Sequence, residues 1–147
     1  TEEEMAALAP RIRAAIAEGE LGAWRWSVRS HFGEHVAEQL DDVEECEEVL
    51  EGVPLAFLQH FNLWRRSSAV RALACSRALG AVAAALLGVG AVRLYQDSVF
   101  VKRPGDSPTR LHADLHMAPF DTNDMVTCWL ALSAEGGPGD GGARALT

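Results

Sequence analysis

The period of the apolar residues changes near residue 90, and that change restricts the possible folds more than any other feature of the chain. Before it, apolar side chains recur at helical spacing. "EEEMAALAPRIRAAIAEG" predicts a helix that Pro10 divides into a short lead and a second helix, because proline lacks the N–H and its ring clashes with the preceding turn. "WRWSVRSHFGEHVAEQLDDVEECEEVLEG" has a mixed start followed by an acidic amphipathic helix ending near Gly52. "PLAFLQHFNLWRRSS" is expected to pack Phe57, Leu58, Phe61, Leu63 and Trp64 on the core, with Trp24 and Trp26 also core residues. "SSAVRALACSRALGAVAAALLG" is the clearest helix, opened by serine caps and stopped at Gly88.

After residue 90 the runs are short, β-branched or aromatic, and bounded by Gly and Pro. "AVRLYQDSVFVKR" predicts a strand, "PGDSPT" a turn, "RLHADLHMAP" an extended piece, "FDTND" a loop and "MVTCWLALS" a further strand. "AEGGPGDGGA" is a long turn into a last strand; it lacks the Lys-Ser/Thr ending of a phosphate loop. Helices first and antiparallel-looking strands afterwards predict an α+β domain with a β-sandwich or jelly-roll core.

The 147 residues suffice for one domain with a real core. A net charge of -8, with much of the acid between Glu34 and Glu51, repels phosphate backbones and argues against nucleic-acid binding. Cys46, Cys75 and Cys128 are isolated and form no CxxC pair, which predicts free thiols in the cytoplasm or another reducing compartment. The uncharged run from Ala78 to Val92 falls short of the ~20 residues of a membrane span, so we expect a buried helix and its exit turn. The chain opens on Thr1 with no signal-peptide pattern and stops at "GGARALT" as a strand begins, so a C-terminally truncated domain is expected.

Within "TRLHADLHMAP", His112, Asp114 and His116 alternate with other residues, and on a strand they project to one side. That arrangement is either a metal site or a polar outer face. Two donors two residues apart can grip one face of an octahedral ion, and a distant histidine would complete a two-His, one-carboxylate triad. His116 would lie two pleats along, roughly 13–14 Å from His112, too far to share the ion, and is expected to line the pocket. A competing motif is "HFGEH", in which His31 and His35 could hold zinc with Glu34 activating water, as in zinc peptidases. Gly33 weakens the helix this needs by about 1 kcal/mol relative to alanine, and a solvated helix face is the simpler reading. A third reading is a non-catalytic jelly-roll binding module with His112 and Asp114 as ordinary polar strand residues.

The segments "VKRPG", "LHADLH", "VTCWLAL" and "GDGGA", in this order and spacing, resemble the phytanoyl-CoA dioxygenase family of Fe(II)/2-oxoglutarate oxygenases, over roughly Phe61 to Thr147. Ala113 stands where that family usually has Gln, and Arg103 where it has Pro. The resemblance implies that His112 and Asp114 are the first two iron ligands and that Trp129 lines the 2-oxoglutarate pocket. Gln96 and Ser98 fall where a core strand supplies inward co-substrate contacts, and their spacing of two independently puts them on one face. Lys102 shares that face but ends the strand, so it is expected to be solvated. The resemblance also implies the fold, N-terminal helices (1–90) packed on a partial double-stranded β-helix, a jelly-roll or cupin-like core (91–147). The implied activity is hydroxylation of a small-molecule or acyl-CoA-type substrate, with 2-oxoglutarate and O2 consumed and succinate and CO2 released. Related halogenases carry a small residue at the Asp114 position, so the carboxylate argues for hydroxylation. By the same resemblance, the third iron ligand and the arginine that pairs with 2-oxoglutarate lie beyond Thr147, so this chain would itself bind iron weakly. A small-molecule substrate is expected, with no nucleic acid, no membrane span and no specific protein partner.

Overall fold

A computed structural model of the chain describes residues 2–130. Helix α1 (Glu2–Glu18) is followed by α2 (Glu20–Phe32), α3 (Glu34–Ala37) and α4 (Val43–Val49). Strand β1 (Leu58–Phe61) leads through a 3-10 turn (Leu63–Arg65) to α5 (Ser68–Ala74) and α6 (Arg77–Leu87). Strand β2 (Ser98–Val101) then returns antiparallel to β1, and a second 3-10 turn covers Asp114–Met117.

Local chemistry explains most of the helix boundaries. Asp42, Ser67 and Ser76 each accept a hydrogen bond from the backbone N–H three residues on, which caps α4, α5 and α6. Gly88, in the left-handed conformation at φ 66°, closes α6, as the sequence predicts. Ser76 also starts a new helix inside the segment read as one, so that segment is two helices meeting at Cys75 and Ser76. Pro10, by contrast, does not divide α1, which runs through it. One missing N–H in the interior of a helix bends it without ending it when the turns on either side persist.

Two apolar clusters lie under the sheet. One joins Ala23, Trp24 and Val28 of α2 to Ala37, Cys46, Leu50 and Leu58. The other joins Ile12 of α1 to Leu63, Ala69 and Val70. The strand register pairs Leu58 with Val101, Gln59 with Phe100, His60 with Val99 and Phe61 with Ser98. Because side chains alternate along a strand, Leu58, His60, Val99 and Val101 share the face that packs on the clusters. Gln59, Phe61, Ser98 and Phe100 share the outer face. Of the five residues expected in the core around β1, Leu58 and Leu63 are buried, and Phe57, Phe61 and Trp64 are half-buried.

The α+β character is present, but no jelly roll is found among the described residues: the sheet has two strands. From 91 to 130, strand structure is confined to Ser98–Val101. Ala113 and Ala118 have extended backbones, yet the residues between them form a 3-10 turn. An extended segment becomes a strand only when a partner satisfies its N–H and C=O groups, and no partner lies beside this one among the described residues. Part of "MVTCWLALS", the glycine-rich turn and the final strand lie outside the described residues.

The apolar segment expected to be buried is not. No residue of α6 is buried, and Val82, Leu86 and Val89 are exposed. By length and composition Ser68–Leu87 is apolar enough to cross a membrane, although its helix is interrupted at Cys75 and Ser76.

Candidate metal and co-substrate site

His112 and Asp114 come together: Nε2 of the imidazole lies 3.4 Å from Oδ1 of the carboxylate. Asp114 opens the 3-10 turn, and Ala113 before it is extended, so two residues of separation bring the side chains to one place. The Nδ1–H of His112 donates to the Arg110 carbonyl at 2.8 Å. A carbonyl can only accept, so this bond places a proton on Nδ1 and turns Nε2 toward Asp114. Metal-ligating histidines are held in this way, by a second hydrogen bond that sets tautomer and ring angle. Two cis ligands with bonds of about 2.2 Å and an angle of about 100° stand roughly 3.4 Å apart. The donor pair therefore fits two adjacent positions on one ion. Both side chains are partly open to solvent, so an ion could reach them. Among the described residues no third His, Cys, Asp or Glu joins them. His116 lies in the 3-10 turn, exposed, rather than two pleats along a strand.

Gln96 and Ser98 also meet. The Gln96 amide donates to the Ser98 hydroxyl oxygen at 3.4 Å, and Gln59 from β1 donates to the same oxygen at 3.2 Å. Trp129 stacks on Phe100 with ring centroids 6.0 Å apart and planes 5° from parallel. Phe100 meets Phe57 edge-on at 4.7 Å. The residues expected to hold co-substrate thus gather at the outer face of the sheet: Ser98 is on it, Gln96 bonds to Ser98, and Trp129 lies on Phe100. Gln59 and Phe100 escaped the sequence reading. Their alternation with His60 and Val99 was legible, but which strand pairs with which was not.

Asp97 fixes this face from behind. Its carboxylate accepts the backbone N–H groups of Leu63 at 3.1 Å and Trp64 at 2.9 Å, and its carbonyl accepts the N–H of Asn62 at 2.9 Å. The start of β2 is thereby tied to the 3-10 turn after β1. Lys102 is exposed, as expected, and its ammonium donates to the carbonyls of Ala56 and Ser107. Arg103, the departure from the family pattern, stacks its guanidinium 4.5 Å over the Trp24 ring and pairs with Asp106 and Glu47. With Gly105 at φ 92° it builds the predicted turn.

The zinc motif does not assemble. Gly33 takes φ 95° and ψ 165°, a conformation that glycine alone adopts without strain, and ends α2 between His31 and Glu34. His31 is held by the Ser27 carbonyl and Glu34 pairs with Arg29 at 2.6 Å. Two histidines on separate helices lose the one-turn spacing that ligation requires.

Two further titratable groups are buried. His60 has its pKa lowered, chiefly by burial and also by the Arg66 guanidinium, with Glu20 opposing, and its Nδ1 has no hydrogen-bond partner. Burial raises the Cys46 thiol. Cys46, Cys75 and Cys128 are all free.

No curated protein and no solved structure matches the chain. The family model for phytanoyl-CoA dioxygenase (PhyH) matches residues 1–136, so the match takes in the N-terminal helices as well as the segment from Phe61 onward. That length of match, together with the HxD pair it encloses, makes the chain a member of the phytanoyl-CoA dioxygenase family.

Proposed function

We propose that the chain is an Fe(II)/2-oxoglutarate-dependent dioxygenase that hydroxylates a small-molecule or acyl-CoA-type substrate. The observation that carries this reading is the 3.4 Å approach of His112 Nε2 to Asp114 Oδ1, with the histidine tautomer set by the Arg110 carbonyl. Iron held there, with 2-oxoglutarate and O2, would supply the oxidising power to place oxygen on a substrate C–H bond, releasing succinate and CO2. The residues of the chain bind and orient. His112 would present Nε2 to the ion, and Asp114 contributes the negative charge that favours a divalent ion. The Ser98 hydroxyl and the Gln96 amide offer donors to an oxyanion, while Trp129 and Phe100 form an apolar wall that displaces water. Three free cysteines suit a reducing compartment.

Calorimetric titration under anaerobic conditions tests the reading, with Mn(II) as a redox-inert stand-in for iron. Mn(II) should bind, 2-oxoglutarate should bind only after it, and His112→Ala should remove both events. A non-catalytic binding module would show no metal-dependent binding of 2-oxoglutarate, and that result refutes the proposal.

A further inference from the structure

Between Glu51 and Asp97 the chain carries five arginines and no Asp or Glu, although its net charge is -8. Helices α5 and α6 lie inside this acid-free stretch. From Ala78 to Val92 no side chain is polar, and the run is bounded by Arg77 and Arg93, both exposed. A helix that is apolar on every side is ordinarily buried in a protein core or in lipid. Here α6 is in no core: none of its residues is buried, and Val82 and Leu86 are 59% and 69% exposed. Its exposed apolar positions are Ala78, Ala81, Val82, Ala85 and Leu86. They follow the i, i+3, i+4, i+7, i+8 pattern and so form one continuous stripe.

The charges beside the stripe decide what fits it. Arg77 stands in the first turn of α6. Arg65 and Arg71, both exposed, hold their guanidiniums 5.4 and 5.5 Å from the Trp64 ring centroid, and an exposed Tyr95 follows Arg93. Arginines and amphipathic aromatics at both ends of an uncharged helix suit a bilayer surface, where anionic headgroups meet the cations and the acyl boundary takes the apolar stripe. The acid is held apart: the segment from Glu34 to Glu51 packs in the cluster around Trp24 and Val28, whereas α5 packs in the one around Ile12 and Leu63. A second copy is the poorer occupant. The eleven residues of α6 make a stripe about 16 Å long, on the order of 200 Å² in area, against roughly 800 Å² per partner in a stable interface. Two chains of net charge -8 also repel each other.

We propose that α6, with the arginines on either side of it, docks the protein onto the surface of an anionic lipid bilayer. The helix lies along the surface and does not cross it: about 16 Å is half of a hydrocarbon core of about 30 Å, and α5 and α6 are broken from one another at Cys75 and Ser76. The apolar stripe enters the headgroup boundary while Arg77 and Arg93 stay among the headgroups. This docking is independent of the dioxygenase reading, and the failure of either leaves the other standing.

The experiment is flotation of the full chain with vesicles of phosphatidylcholine alone and of phosphatidylcholine mixed with phosphatidylserine. The chain should float with the mixed vesicles, much less with phosphatidylcholine alone, and less again as salt is raised. A net charge of -8 opposes that preference unless the arginine-bounded face makes the contact. Arg77→Gln and Arg93→Gln should each weaken binding roughly 5-fold. Val82→Gln combined with Leu86→Gln should weaken it roughly 10-fold or more. Both positions are exposed and glutamine is a good helix former, so the double variant should melt where wild type does. If it melts earlier, the stripe is packed within the chain and the inference fails. It fails too if wild type floats with neither vesicle or equally with both, or if the double variant binds as wild type does. A wild-type dimer that the double variant dissociates would place a second copy on the stripe and also overturn the proposal.

Discussion

Replacing Asp97 with alanine should destabilise the fold by about 2–3 kcal/mol, a large effect for one half-buried side chain. The figure follows from what the carboxylate holds. It accepts the N–H groups of Leu63 and Trp64, residues 34 and 33 positions away, at 3.1 and 2.9 Å. Those donors open a 3-10 turn and have no partner within it, so their loss resembles removal of a helix cap, typically about 1 kcal/mol. Two bonds to an ionised acceptor, with the donors close to the buried Leu63, raise this to roughly 2–3 kcal/mol. Asp97→Asn retains one acceptor oxygen and should cost about half as much. Equilibrium urea unfolding, followed by tryptophan fluorescence, measures both. Asp97 also lies between Gln96 and Ser98, so Asp97→Ala should loosen the outer face and weaken 2-oxoglutarate binding. An alanine variant within 0.5 kcal/mol of wild type, the usual range of inert surface changes, would refute the reasoning.

Two further outcomes follow from buried titratable groups. The folded chain refuses a proton at His60 that the unfolded chain accepts below its ordinary pKa of 6.5, so folding stability should fall as pH drops below that value and level off once the folded imidazole titrates. Melting temperatures measured from pH 8 to pH 5 should show this decline in wild type and a smaller one in His60→Leu; identical slopes would exclude His60 as the source. In native protein a thiol reagent should label the exposed Cys75 and Cys128 and leave Cys46, fully buried and with its thiol pKa raised, untouched until denaturant is added. Rapid labelling of Cys46 in the folded chain would contradict its burial.

What could be read in advance was local. The serine caps at Ser67 and Ser76, the stop at Gly88 and the turn at Pro104 and Gly105 each depend on residues within a few positions of one another. The approach of His112 to Asp114 is local too, and it survives although the segment is a 3-10 turn rather than a strand. "HFGEH" shows the opposite case, because five residues matched a zinc pattern while one glycine conformation separated them onto two helices. The exposure of α6 was also unreadable, since an apolar helix carries no mark of what packs against it.

The amino-acid sequence by itself determined the family, the HxD pair and the caps that start and stop the helices, because these depend on side-chain chemistry at short separation. Only the tertiary structure decided that Gln59 supports Ser98, that Asp97 ties β2 to the turn after β1, and that Trp129 stacks on Phe100. Except for the last, these contacts join positions more than thirty residues apart, and all of them depend on how the β1–β2 pair is assembled. Strand alternation tells which residues share a face but not which strand lies beside them, so the register, and with it the composition of the outer sheet face, had to come from the fold.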